Sequence, residues 1–218
     1  MEDVLAVYDQ KPLSNRARLC FDERPCQLLD DVVSALPVKP YKVAKEDNEY
    51  VRKGTCVVLL AYDLDSGKRY TEVRERRTKA DYADFMRTVT DSHYAGYEYV
   101  DLVQDNLNRH TYGSFYDHLP LTQARALRRK VVFHFTPKHG SWLNMAEIEF
   151  SALARQCLHR RIGNIAELRR QVDLWTTERN EREVKIHWSF TVATAEDKLS
   201  GWYEQVNPAN ITSVKSDN

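Results

Sequence analysis

The sequence predicts a mixed α/β domain, and three features carry that expectation. Short apolar or alternating runs recur between turn residues, helical apolar stripes separate the later runs, and two early runs flank the tight turn Asp65-Ser66-Gly67 as a hairpin. The resulting order is strand, two strands, helix, strand, helix, strand, helix, helix. A chain of 218 residues, 42% hydrophobic and 29% charged, is long enough for one sizeable core.

Taken in order, "ARLCFDER" (17–24) reads as a short strand with Leu19 and Phe21 on one face and Cys20 and Asp22 on the other. Residues 37–53 are polar and punctuated by proline, as expected of an exposed connection. "GTCVVLLAYD" is almost continuously apolar and suits an interior strand, and "KRYTEVR" returns from it. Thr78, with Asp81 three residues on, opens a helix as a capping box, with Tyr82, Phe85, Met86 and Val89 as its buried stripe. "YEYVDLVQDN" (97–106) is a strand ending at Asp105. Residues 114–130 are helical with a break at Pro120. "VVFHFTP" (131–137) is a further strand, followed by a helix in "GSWLNMAEIEFSALARQ" and a last one over 165–178 with Ile165, Leu168, Val172 and Trp175 inward. The end, "NPANITSVKSDN", is polar and expected to be loose.

Several function classes find no signature. The phosphate-loop, nucleophile-elbow and zinc-protease motifs are all missing, and seven glycines leave little for a dinucleotide loop. Cys20, Cys26, Cys56 and Cys157 are spaced wrongly for common zinc sites, so reduced thiols are expected. No apolar run approaches membrane-spanning length and no signal core follows the acidic N-terminus, which gives a cytoplasmic expectation. Lys plus Arg equals Asp plus Glu at 32 each, so total charge does not announce a nucleic-acid partner; basic runs occur only locally, as in "RERRTK", "RALRRK" and "HRRIG".

Two glutamates begin the helix after "GSWLN". On a helical wheel, Leu143, Ala146, Phe150, Leu153, Ala154 and Cys157 share one sector, with Glu147 at its margin and Glu149 well outside. The expectation is that Glu147 faces the sheet while Glu149, Met145 and Ile148 face outward. Asn144 to Glu147 also has the form of a capping box, like Asn164 to Glu167 later, which would make Glu147 a cap. Asp22 and Asp105 each end a strand, where open α/β sheets commonly place ligand sites. Three converging carboxylates repel one another unless a cation stands between them, and hard ions such as Mg²⁺ prefer such oxygen ligands.

Taken together, "LCFDERP", "LVQDNLNRH" and "FTPKHGSWLNMAEIEFS" resemble the three acidic motifs of the DDE transposases, closest to the bacterial insertion-sequence branch of the mariner superfamily, and the later "IHWSFT" is similar to that group's end. The resemblance implies a ribonuclease H-like mixed sheet flanked by helices. It implies Asp22, Asp105 and Glu147 as catalytic and metal-binding residues, with Mg²⁺ or Mn²⁺, two ions, as cofactor. Asn106, His110, His139 and Asn144 match motif neighbours that shape the site, as do Ser141 and Trp142. The implied activity is DNA cleavage and strand transfer at element ends; a related nuclease without strand transfer, or an inactive remnant acting as a DNA-binding or dimerisation module, is the alternative. The implied partners are element-end and target DNA, a helix-turn-helix module encoded separately or reached by frameshifting, and a second copy in a homodimer, in a bacterial, nucleoid-associated setting. Two departures stand out: the 41 residues between Asp105 and Glu147 exceed the gap of the better-known members, and only 21 residues precede Asp22. The expected division is 1–16 as N-terminal helix or linker, 17–200 as catalytic domain and 201–218 as polar tail.

Overall fold

A computed structural model describes residues 1–32 and 48–206. A helix, α1 (Glu2–Asp9), precedes the long strand β1 (Arg16–Asp31). Strands β2 (Tyr50–Asp63) and β3 (Arg69–Arg74) form the expected hairpin, followed by α2 (Lys79–His93) and β4 (Tyr99–Gln104). Helices α3 (Tyr112–His118) and α4 (Leu121–Lys130) lead to β5 (Val131–Phe135). A 3-10 turn at Ser141–Leu143 then opens α5 (Met145–Gln156), with α6 (Ile165–Glu181) and α7 (Val192–Val206) behind it.

The five strands lie in the order β3-β2-β1-β4-β5. β1, β2 and β3 are antiparallel neighbours, while β4 and β5 join parallel through helical crossovers. Each face of the sheet has its own core. Leu19, Phe21, Leu59 and Ala61 pack with Tyr82, Phe85, Met86 and Val89 of α2 and Phe115 of α3 on one side. Cys20, Val58, Leu60 and Tyr62 pack with Leu5 of α1, Phe150 and Leu153 of α5, and Val172 of α6 on the other. Burial on both faces explains why β2 reads as a continuous apolar run rather than an alternating one.

Local chemistry accounts for the connections. Gly67 adopts the left-handed φ of 73° that the β2–β3 turn requires, and Asp63 Oδ1 accepts the Asp65 and Ser66 amides. The Thr78 box closes in both directions, with Asp81 N–H donating to Thr78 Oγ1 and Thr78 N–H to Asp81 Oδ2. Edge strand β3 is covered by side chains of α6: Asn180 both accepts the Arg69 amide and donates to its carbonyl, at 2.9 Å each, and Arg169 donates to the Val73 carbonyl. Among the described residues, no helix is long and apolar enough to cross a membrane.

Four expectations change. β1 runs on to Asp31, so "ARLCFDER" is the first half of a strand twice as long. Residues 50–53 belong to β2 and pair with β1; residues 37–47 of the expected connection lie outside the described residues. α6 is not the last helix: α7 follows and reaches Val206, so the expected tail begins as helix at 201–206, and 207–218 lie outside the described residues.

The fourth change reverses the two glutamates. Glu149 is fully buried, whereas Glu147 is exposed. Met145 is buried too; Ile148 is exposed as expected. α5 packs against β1 and β2 on one side and α6 on another, so it has two inward faces rather than the one an apolar wheel detects. Glu149 reaches the core because two arginines neutralise it. Arg69 Nε stands 2.8 Å from Oε2, in an ion pair bent away from hydrogen-bond geometry, and Arg69 Nη2 and Arg179 Nη2 donate to Oε1 at 3.1 and 3.0 Å. Removing the carboxylate would strand two guanidinium groups, one of them fully buried. Urea unfolding is therefore expected to show Glu149→Gln destabilised by about 3 kcal/mol. The same change at exposed Glu147 should stay within about 0.5 kcal/mol.

Candidate active site

β1 changes neighbours along its length. It pairs with β4 from Arg16↔Tyr99 to Cys20↔Val103, and with β2 from Leu19↔Asp63 onward. Asp22 and Asp105 each lie two residues beyond the last β1–β4 pair, so parallel pairing delivers both to the same end of the sheet. That is the carboxyl end of the parallel strands, where open sheets form a crevice.

Asp22 is 8% exposed. Its Oδ1 accepts the Glu23 amide at 2.7 Å and its Oδ2 faces Asn144 Nδ2 at 3.3 Å. Burial pushes its carboxyl up to about 7; the Glu23 amide opposes this, and the negative charges of Glu147 and Asp105 add to it.

Asn144 fastens helix to strand. Its Nδ2 also donates to the Phe21 carbonyl at 2.8 Å, while its Oδ1 caps α5 by accepting the Ala146 amide at 3.2 Å. The reciprocal half of a capping box does not form, because the Asn144 N–H donates to the Ser141 carbonyl instead. Glu147 is thus exposed in the first turn of α5 and is not the cap of its own helix. Upstream, the Gly140 amide closes a turn on the Pro137 carbonyl at 2.8 Å. His139 holds a left-handed φ of 65° there, and a side chain at Gly140 would meet Pro137 at 2.6 Å. His139 shapes the turn through its backbone, and its own side chain is exposed.

His110 is fully buried, with Nδ1 against Asp105 Oδ1. Its Nε2 stands 3.6 Å from Glu23 Oε2, an ion-pair contact rather than a hydrogen bond. Burial opposes a charge on His110, yet contact with Asp105 and Glu23 raises its hold on a proton. Glu23, although burial works against it, is held below the usual carboxylate range by His110 and Arg109. Asn106 is exposed in the turn after β4. Glu23 is the residue the sequence reading passed over. The available signal was strand alternation, which puts it on the Leu19–Phe21 face, where a carboxylate interrupts an apolar series.

Among the described residues, no three His, Cys, Asp or Glu side chains are gathered closely enough to hold a metal ion between them. A cleft of about 420 Å³ opens between β1 and the turn after α5, lined in part by Arg24, His159, Arg160 and Arg161. Arg24 lies two residues beyond Asp22 and so on the same face of β1. A larger cleft of about 650 Å³, between β3, α2 and α6, includes none of the expected site residues.

Residues 17–169 match the family described as DDE superfamily endonuclease. No curated protein matches the chain. Among solved structures, the Mos1 mariner paired-end complex with Mn is 17% identical with a TM-score of 0.54, over 84% of this chain and 56% of that one. The Mos1 strand transfer complex is 15% identical at 0.53, over 84% and 59%. The catalytic domain of Mos1 mariner transposase is 16% identical at 0.51, over 83% and 80%. The likeness at these identities is one of fold, a ribonuclease H-like sheet with flanking helices. This chain spans little more than half of the longer relatives.

The Asp22 shift makes stability depend on pH. With a folded value of about 7 against 3.8 for a free carboxyl, the folded chain keeps a proton that the unfolded chain has lost. Stability of the metal-free protein should therefore fall as pH rises from about 4 to about 7, by up to about 4 kcal/mol. Asp22→Asn is expected to flatten that slope and to be the more stable protein at pH 8, measured by denaturant unfolding across the range.

Proposed function

As the chain belongs to the DDE superfamily endonucleases, we propose that it is the catalytic part of a transposase, cutting DNA at the ends of a mobile element and joining them to a target. Asp22 is the observation that carries this reading: a buried carboxylate on β1 that the parallel β1–β4 pairing brings to the same end of the sheet as Asp105, and that Asn144 ties to the start of the helix bearing Glu147. Carboxylates brought to one end of a sheet repel one another and favour a cation beside them.

The donor set fits a hard divalent ion, being carboxylate oxygen throughout. Asp22 and Asp105 would hold Mg²⁺ or Mn²⁺, with Glu147 completing a second ion's site. When bound, such ions supply Lewis-acid activation of the attacking oxygen and neutralise charge at the phosphate. The chain's own part is placement. Asn144 ties the start of α5 to Asp22, so Glu147 rises from a helix anchored to the strand bearing the first acid. His110 restrains Asp105 from a buried position. Arg24, His159 and Arg160, which make no ion pair among the described residues, line a track for the phosphate backbone beside Asp22. Recognition of element ends is assigned, within the same proposal, to a helix-turn-helix module other than the segment described, and pairing of ends to a dimer.

Asp22→Asn, Asp105→Asn and Glu147→Gln are each expected to lower metal-dependent nicking of element-end duplexes by roughly 10³-fold or more, with folding retained. Product analysis decides between readings: joined strands support a transposase, and nicks alone support a nuclease. Full activity in all three variants would end the proposal. Arg24→Ala with Arg160→Ala should weaken DNA binding alike for all sequences and reduce the salt slope by about two, measured by titration at several salt concentrations.

A further inference from the structure

Glu23 belongs neither to the acidic trio nor to the apolar core, yet its side chain is only 3% exposed. An unpaired carboxylate at such a position is costly, and an apolar residue would simply have extended the Leu19–Phe21 face. Its partners explain the choice. Arg109 Nε donates to Oε1 at 2.7 Å, and His110 Nε2 lies 3.6 Å from Oε2. The opposite ring nitrogen of His110 contacts Asp105. The ring has little freedom to turn, being edge-on to Phe21 at 5.2 Å and tilted against Tyr82 at 4.9 Å, while the His110 carbonyl accepts Gln104 Nε2 at 3.0 Å.

This arrangement stands where backbone pairing stops. Beyond Cys20↔Val103 the β1–β4 ladder has ended, so no strand pairing fixes Asp22 against Asp105. A bridge takes over instead: Asp22 is joined by one peptide bond to Glu23, Glu23 faces His110, and His110 faces Asp105. We propose that Glu23, held by Arg109, is a positioning residue that orients His110 and through it sets where the Asp105 carboxylate stands relative to Asp22. The inference rests on the reading of Asp22 and Asp105 as metal-binding carboxylates. Residues that orient metal-binding groups in this way commonly cost 10–100-fold in affinity when replaced.

The test is calorimetric titration of the full chain with Mn²⁺ and no DNA. Glu23→Gln preserves shape and removes the charge that faces His110; its Mn²⁺ affinity is expected to fall by about tenfold or more. Glu23→Gln combined with His110→Gln should lose no more than the worse single variant, because both act along one path. A purely structural Glu23 would lower the melting temperature and leave Mn²⁺ affinity alone, which would overturn the inference, as would losses that simply add. Asp105→Asn separates the two levels. If it abolishes Mn²⁺ binding while Glu23→Gln does not weaken it, only the positioning role falls. If it leaves Mn²⁺ binding intact, the reading of the site falls and the inference with it. Should Glu23→Gln fail to fold, Arg109→Met, at a partly exposed position, is expected to weaken Mn²⁺ in the same direction, and unchanged affinity there overturns the proposal.

Discussion

The change of neighbour along β1 is the constraint from which the rest of the molecule follows. For its first five residues the strand is tied to β4, and from Leu19 onward it is tied to β2, so the two ladders overlap only at Leu19 and Cys20. Where the β4 ladder ends, the strands part and polar side chains can enter the sheet. Asp22, Glu23, Asp105 and His110 occupy that opening, and Asn144 approaches it from α5. Both cores serve this point, since Cys20 faces one and Phe21 the other, holding the root of the opening from two sides.

Away from that opening, charge is used as a fastener. Glu149 locks α5 to β3 through Arg69 and to α6 through Arg179, and Asn180 stitches α6 to the edge of β3. The helix bearing Glu147 is therefore clamped from behind by an ion network and from the front by Asn144. One carboxylate in its first turns is for structure and the other is free to face solvent. Such an arrangement favours a fixed helix over a stable pair as such, since buried ion pairs add little net stability.

Much of this was legible in the residues. The β2–β3 hairpin, the Thr78 box, the Pro120 break and the buried stripes of α2 and α6 appear as read, because each depends on local chemistry within a few residues. The three acidic motifs are likewise short local patterns, and the family match spans all of them. What was misread depends on partners distant in sequence. Glu149 looks like a surface residue until Arg69, 80 positions earlier, is known to meet it. Glu23 looks like a neighbour of Asp22 until Arg109 and His110 arrive 86 and 87 positions later. The outer half of β1 was missed because only its pairing with β2 makes a strand of the polar stretch after Pro25. Helix α7 was missed although its apolar periodicity is as marked as that of α2; Ala195 is a buried anchor within it.

The long reach of these pairings has a bearing on how the protein comes into being. The antiparallel hairpin β2–β3 needs only a short turn, but β4 must return across 83 residues to align Tyr99 with Arg16. Closing such spans is slow and is rewarded only when both strands are already in place. Glu147 follows 42 residues after Asp105. A growing chain therefore makes Asp22 well before Asp105 and Glu147, and the β1–β4 ladder that brings Asp22 and Asp105 to one end of the sheet can close only once β4 has been made.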